Sequence, residues 1–292
     1  LLIVLVLSDG GTRRARRPPA APLRPLDWGK MSDAQLVELL ADRVVYETAE
    51  LLALDKPYDL PYSGSKPNRR QVDRVLGALK ERVCPAVGRL HLVESLDRCA
   101  SGVLLFAKTA EQQRRLQAEL AAGRVGHRFR CLVRGVPEEP AATIAIPLVR
   151  RLSGRDVKLL PARESPRGRV LHPQTRYRVV NEDRRAGVSL LDVFVTAASV
   201  HQIRSHLAFG LNCPLIGEAK YNPRTADRPV ALSNRVLEPL GWRPADFRKV
   251  PTFLHLAETL LPLPDRTRFS VVKAPLPAHF QHVLKLLSLA KK

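Results

Sequence analysis

The clearest chemistry in this sequence lies in two adjacent side chains, the carboxylate of Asp97 and the guanidinium of Arg98. An aspartate just before a turn commonly caps backbone N–H groups, so these two residues by themselves leave a structural role open. Carboxylate chemistry of the glycosidase or lyase kind needs a second acid placed near the first. The candidate for that second acid is Glu94, and this single neighbour makes such a function a weak alternative.

The residues after Asp97 predict how it is positioned. A small turn at 100–102 leads into the apolar run 103–107, which is short enough and apolar enough to be a buried strand. The segment 110–122 has the helical spacing of Leu116 and Leu120, and Gly123 is a natural stop after it. Asp97 is therefore expected in a loop that enters a rigid strand.

The rest of the chain predicts many strands and few helices. Helices are expected from Ser32 as an N-cap and at 72–79, 201–208 and 277–287. Strands are expected at 51–57, 127–134, 144–149, 177–180, 189–195, 252–261 and 268–273. This pattern favours an α+β fold with a large mixed, mainly antiparallel sheet flanked by helices and loops.

The charge balance indicates a polyanionic partner. Lys and Arg number 48 against 28 Asp and Glu, a net charge of +20, and Arg suits bidentate phosphate contacts. We expect RNA or DNA; an anionic membrane surface or a basic compartment are the alternatives. No apolar run approaches the roughly 20 residues that a membrane span needs, so no membrane span is expected.

The cysteines do not predict a metal site or disulfides. They form no Cys-x-x-Cys pair, and their spacing fits no set of metal ligands: Cys84, Cys99, Cys131 and Cys213. Free thiols in a reducing compartment are the expectation.

The first 30 residues differ from the rest. They contain several arginines, prolines and few acids, which is typical of an organellar transit segment. An unstructured tail without a targeting role is the alternative. Because the chain starts without Met, we expect an upstream part to be missing. Residues 31–292 are predicted to form the functional domain.

Several segments, taken in order, resemble RluA-type pseudouridine synthases. They are Leu54-Asp-Lys-Pro57, Leu96-Asp97-Arg98 with Ser101-Gly102 and Phe106-Ala-Lys-Thr109, His201-Gln-Ile-Arg204 with His206-Leu207, Pro214-Leu-Ile-Gly217 with Tyr221, Leu254-His255, and Ala274-Pro-Leu-Pro277. The resemblance covers residues 48–285. It implies the pseudouridine synthase fold with a central active-site cleft, isomerisation of uridine in RNA, and no metal, nucleotide or redox cofactor.

The resemblance also implies roles for particular residues. Asp97 is the catalytic carboxylate, acting either as a nucleophile at C1′ of the ribose or as a base at C2′, and Arg204 is its cationic partner. A flipped uracil needs an aromatic platform, and Phe129 stands where the family usually has tyrosine. Substrate contacts are further expected from Arg98, His201 and Gln202, although the last two can equally hold loops.

This sequence departs from the family pattern near the expected site. Glu94 and Ser95 replace the usual His-Arg before Leu-Asp, Ala198-Ser199-Val200 replaces Gly-Arg-Thr, and His127 replaces a lysine. These changes leave a second interpretation open, a weak or inactive synthase that acts as an RNA-binding or assembly factor.

The resemblance further implies where the protein works. We expect a monomer in the mitochondrial matrix that binds RNA, with proteins of RNA granules or of ribosome assembly as partners.

Overall fold

The structure, a computed structural model, describes residues 26–64, 69–153, 156–162, 168–196, 199–222, 231–243, 250–263 and 267–290. It divides into two compact units, and the first comprises residues 25–127 and 255–277. The second comprises residues 128–254 and 278–292. The predicted leader falls largely on residues outside the described ranges and stays a prediction, as does the single domain predicted for residues 31–292.

The elements in chain order are as follows. The helices are α1 (Asp33–Ala41), α2 (Val72–Val83), α3 (Ala110–Ala121), α4 (Gln202–Ser205), α5 (Asn234–Leu237) and α6 (Ala278–Leu286). The strands are β1 (Val44–Glu47), β2 (Leu51–Lys56), β3 (His91–Leu92), β4 (Ser101–Ala107), β5 (Gly126–Arg134), β6 (Ala141–Ile144), β7 (Leu148–Ser153), β8 (Asp156–Pro161), β9 (Val170–Leu171), β10 (Thr175–Asp183), β11 (Val188–Val195), β12 (Leu254–Pro262) and β13 (Phe269–Lys273).

The first unit is built on the strand order β1-β2-β4-β12, with β3 beside β4 and β13 beside β12. Strand β4 runs antiparallel to β2 but parallel to β12, so the sheet is mixed. Every residue of β2 and β4 is buried, which explains the apolar runs 51–54 and 103–107, while Asp55 and Lys56 at the end of β2 are buried charged residues. The α+β class with a mainly antiparallel sheet is confirmed.

Local sequence explains where the helices of the first unit begin and end. The Ser32 side chain accepts from the Gln35 backbone N–H while the Gln35 side chain accepts from Ser32, a capping box that starts α1. Thr109 caps α3, and Gly123 follows that helix with φ of +68°, a left-handed conformation that favours glycine. The helix predicted at 110–122 is thus confirmed.

The second unit contains the strand order β5-β11-β10-β6 and a small three-stranded sheet β8-β7-β9. Strand β5 begins in the first unit and continues into the second. Its residues alternate between half-buried and buried positions up to Cys131, as its basic–apolar alternation predicts.

Two predictions about elements of the second unit were wrong. The strand predicted at 144–149 is split, because β6 ends at Ile144 and β7 begins after Pro147, which has no N–H to donate to a ladder. The helix predicted at 201–208 is a short α4 that continues as a π-helical turn, His206–Gly210. His201 starts this segment with φ of +67°.

Within the described ranges, no helix has the length and apolarity to span a membrane. No cluster of three or more His, Cys, Asp or Glu side chains there is arranged to hold a metal ion. Cys84, Cys131 and Cys213 are buried free thiols and Cys99 is half-buried, in agreement with the expected free cysteines.

Candidate active site

Asp97 lies in the loop that connects β3 to β4 in the first unit. Leu96, just before it, is buried, while the Asp97 side chain is half-buried. The Ala100 N–H donates to the Asp97 carbonyl oxygen at 3.0 Å, which closes a turn immediately before β4. The strand therefore presents the carboxylate from a short, closed loop, as its sequence predicts.

The ammonium group of Lys56 forms hydrogen bonds with the backbone of this loop. Lys56 is the last residue of β2 and is fully buried. Its Nζ donates to the carbonyl oxygens of Ala100 at 2.6 Å and Leu60 at 2.9 Å, with longer contacts to Pro57 at 3.2 Å and Arg98 at 3.4 Å. This one side chain therefore links the loop after β2 to the loop that contains Asp97.

Burial lowers the pKa of Lys56 to about 8, and the negative charges of Cys99, Asp97, Asp59 and Asp55 partly oppose this. Asp97 is therefore one of the anions that this buried cation attracts. Burial also raises the pKa of Asp55, the residue before Lys56, to about 6, against the opposing charge of Arg43 2.9 Å away.

Arg98 contacts the loop after β2 rather than the solvent alone. Its Nε and Nη2 both lie 2.6 Å from Oδ1 of Asp59, a residue with φ of +60°. This ion pair is part exposed, so its contribution to stability is small, but it fixes the direction of the turn after Asp97.

The beginning of β4 is supported by β12. Ser101 Oγ lies 3.0 Å from His255 Nδ1, and His255 Nε2 lies 3.3 Å from the Ala274 carbonyl oxygen. Gly102 has φ of +114°, and a Cβ there would lie 2.1 Å from the Leu256 carbonyl oxygen. Only glycine allows β4 to approach β12 this closely.

Two residues that depart from the family pattern contact each other. Glu94 Oε2 lies 3.0 Å from Nε2 of His127, whose ring is buried, and His127 Nδ1 lies 3.3 Å from Thr259 Oγ1. The Asp97 loop is in this way joined to β5 and β12. The sequence marks Glu94 and His127 as departures from the family pattern but does not predict that they contact each other.

Arg204 belongs to the second unit, on α4. Its Nε and Nη2 donate to the two carboxylate oxygens of the fully buried Glu218 at 2.6 and 2.7 Å, a bidentate pair in which the Arg204 side chain is 9% exposed. Its guanidinium carbon lies 5.2 Å from the centre of the Tyr221 ring. Glu218 directly follows the Pro214–Gly217 motif, and this place next to the motif was the sequence signal that could have found it.

His201 and Gln202 are hydrogen-bonded to neighbouring loops. His201 Nδ1 lies 2.8 Å from the Tyr221 hydroxyl. The buried Gln202 amide donates to the Gln174 carbonyl and to Thr175, and its oxygen accepts from the Ser199 N–H. These contacts favour the loop-holding alternative for Gln202.

Phe129 lies on β5 in the second unit, and 6% of its surface is exposed. Asp97 and Arg98 belong to the first unit, whereas Phe129, His201, Gln202 and Arg204 belong to the second. The pairing of Asp97 with Arg204 and the stacking of a base on Phe129 stay predictions.

Comparison with known proteins shows which family this chain is similar to. A family model described as RNA pseudouridylate synthase matches residues 50–209. The chain is 30% identical over 262 residues to "Pseudouridylate synthase RPUSD4, mitochondrial" of Xenopus tropicalis, covering 85% of this chain and 81% of that protein. A solved structure of human RNA Pseudouridylate Synthase Domain Containing 4 superposes with a TM-score of 0.75 at 26% identity, covering 88% of this chain and 97% of that one.

A narrower interpretation of the sequence motifs does not hold. They favour RNA pseudouridylate synthase domain-containing protein 3 in particular, and the mouse protein "Mitochondrial mRNA pseudouridine synthase Rpusd3" is 26% identical over 88% of this chain. The identity to the Xenopus RPUSD4 protein is higher, so assignment to protein 3 is too specific.

Proposed function

The chain belongs to the RNA pseudouridylate synthase family, and we propose that it converts uridine in RNA to pseudouridine with Asp97 as the catalytic carboxylate. The reaction breaks the bond between uracil N1 and ribose C1′ and forms one between C5 and C1′. The C5 hydrogen leaves as a proton and N1 gains one, so the product is an isomer and no other reactant is consumed.

The observation that carries the proposal is the way in which the first unit holds Asp97. Its half-buried carboxylate lies at the entrance of a fully buried strand, in a closed turn that Lys56 ties to β2. Both roles left open for Asp97, attack at C1′ and proton abstraction at C2′, require an ionised carboxylate in a fixed position. The positive charge of Lys56 favours the ionised form.

The proposal includes roles for the second unit. Arg204 is held by Glu218 and Tyr221 in one orientation, which suits a cation that must meet an anionic carboxylate or RNA. Phe129 would stack on the everted uracil; it has no hydroxyl, so it would bind the base without exchanging a proton.

We further propose that the substrate is a mitochondrial mRNA or rRNA and that the protein acts in the mitochondrial matrix as a monomer. The mitochondrial relatives support the mitochondrial location, and the net charge of +20 supports RNA as the substrate. Proteins of mitochondrial RNA granules or of ribosome assembly are the proposed partners.

The test is site-resolved mapping of pseudouridine in organellar RNA after depletion of the protein. Wild-type protein should restore the lost sites, and Asp97→Asn should restore none while reaching the same cellular level. Asp27→Asn, an exposed residue of the same unit, is the matched control and should rescue fully. If the Asp97 variant restores modification, the proposed catalytic role is wrong.

The Glu94–His127 pair favours a second candidate, an RNA-binding or assembly factor on the same fold. These two side chains occupy family positions that are usually basic, and Glu94 Oε2 lies 3.0 Å from His127 Nε2. Under this candidate, Asp97→Asn would restore RNA levels and organellar assembly although no pseudouridine is formed. If Asp97→Asn restores neither RNA levels nor organellar assembly, the role as a binding or assembly factor is excluded.

A further inference from the structure

Three arginines of the second unit converge on one buried carboxylate. Asp192 on β11 is 3% exposed at its side chain. Its Oδ1 lies 3.0 Å from Nη1 of Arg128 and 2.9 Å from Nε of Arg130, both on β5, and its Oδ2 lies 3.0 Å from Nη2 of Arg178 on β10. We call Arg128, Arg130, Arg176 and Arg178 with Asp192 the Asp192 cluster.

Arg176 belongs to the cluster through strand register. Arg176 pairs with Phe194 and Arg178 with Asp192 across β10 and β11, so all four side chains are on one face of the sheet. The guanidinium carbon of Arg176 lies 4.9 Å from the centre of the Phe194 ring. This arrangement extends the cationic surface along β10.

The cluster is on the face opposite to Phe129. Side chains alternate along a strand, so Arg128 and Arg130 on β5 point away from the face that buries Phe129 and Cys131. Tyr177, between Arg176 and Arg178 on β10, is buried on that other face. The cluster is therefore separate from any site to which Phe129 contributes.

The cluster carries more positive charge than its carboxylate balances. One carboxylate offsets one guanidinium, so the three arginines around Asp192 leave a net charge of about +2, and Arg176 adds to it. The Arg178 side chain is 63% exposed and Arg176 is exposed as well, whereas the Arg128 and Arg130 side chains are 21% and 23% exposed. Contact with Asp192 holds the donors in place before a ligand arrives, which lowers the entropy lost on binding.

We propose that the Asp192 cluster binds backbone phosphates of the substrate RNA, at a distance from the nucleotide that reacts. This inference rests on the proposed function only for the identity of the ligand as RNA. Guanidinium groups pair with phosphate oxygens in a bidentate manner, and an excess of fixed cations that ends in the exposed Arg176 and Arg178 suits a polyanion. The cluster would anchor a flanking part of the RNA and thereby raise affinity without touching the reacting base.

The test replaces Arg176 and Arg178 by glutamine together. Both are exposed, and Arg128 and Arg130 remain to balance Asp192, so the fold is retained. The matched control, Arg184→Gln with Arg185→Gln, removes the same charge from the turn that joins β10 to β11. Equal denaturation midpoints for all three proteins establish that the fold is unchanged.

Binding of a stem-loop RNA transcript is measured against salt concentration. We expect the Arg176/Arg178 variant to bind roughly tenfold more weakly, and the slope of log affinity against log salt to fall by about 1.5. The control should match wild type. Equal affinity and slope for variant and wild type would overturn the proposal, and so would an equal loss in the control, because that would indicate non-specific charge.

Turnover separates this inference from the proposed function. On a transcript that contains the mapped uridine, the variant should show a KM raised by roughly the same factor and an unchanged kcat. On an oligonucleotide trimmed to the reacting loop, variant and wild type should have equal KM values; a raised KM there would contradict anchoring outside the loop. If wild type forms no pseudouridine, the proposed function fails, while the binding result still decides the role of the cluster.

Discussion

Replacing Lys56 by methionine tests how the Asp97 loop is held. The variant keeps the length of the side chain but removes the ammonium that bonds to four carbonyl oxygens. The short bonds to Leu60 and Ala100 matter most, because a buried carbonyl without a donor costs about 1–3 kcal/mol. Losing these two bonds should cost about 2–6 kcal/mol.

The same change removes the cost of burying a charge. Burial lowers the pKa of Lys56 from 10.5 to about 8, which corresponds to about 3 kcal/mol of unfavourable free energy while the group is protonated. At pH 7 the two effects oppose each other, so Lys56→Met should lower the free energy of unfolding by no more than about 3 kcal/mol.

The pH dependence then distinguishes the two effects. Between pH 8 and 10.5 the native protein releases the Lys56 proton before the unfolded chain does, so wild-type stability from this group rises with pH. The variant lacks this rise. The stability difference between wild type and variant should therefore be about 2 kcal/mol larger at pH 9.5 than at pH 7.

Urea denaturation at the two pH values is the assay, with pseudouridine formation measured at pH 7. Turnover should fall by far more than the loss of folded protein alone would explain, because the Asp97 turn loses its support. Lys108→Met removes an ammonium that pairs with Glu47 in the same unit and should keep activity. A stability difference that stays constant or shrinks with pH would refute the reasoning about the buried charge.

Three further predictions concern other contacts of the two units. Glu94→Ala should lower kcat by roughly tenfold by loosening the Asp97 loop, whereas exchanging the pair as Glu94→His with His127→Glu should recover part of it; equal losses in both variants would argue against a positioning role. Arg204→Met leaves a buried carboxylate without its cation and should destabilise the protein by about 3–5 kcal/mol, measured by denaturation, while Arg204→Lys should lose less. Gly102→Ala places a Cβ against a backbone carbonyl, so the soluble yield and melting temperature should both fall, and a variant with wild-type stability would contradict the close approach of the strands.

Much of the first unit follows from short-range sequence signals. The apolar run after Gly102 predicts a buried strand, and the structure confirms it as β4. The N-cap at Ser32 and the stop at Gly123 similarly predict helix ends, because each satisfies backbone groups within one turn. Such signals depend on residues a few positions apart, so they survive without knowledge of the fold.

The missed features depend on partners that are distant in sequence. The sequence places Lys56 in the strand predicted at 51–57, and its role becomes visible only where its ammonium meets the carbonyls of residues 98 and 100. The contact between Glu94 and His127 likewise joins two positions that no periodicity relates. The π-helical turn after α4 depends on tertiary packing rather than on helix propensity, which is why the spacing at 201–208 predicted a longer α-helix.

The pairing of β4 with β12 has a consequence for the chain while it is being synthesised. Residues 101–102 pair with residues 255–256, so this part of the sheet cannot form until the intervening residues have been synthesised. Until then β4, which is buried along its whole length in the folded protein, has an open edge, the kind of surface on which unfinished chains associate with one another. A product that stopped before β12 would therefore be a target for chaperones or proteases.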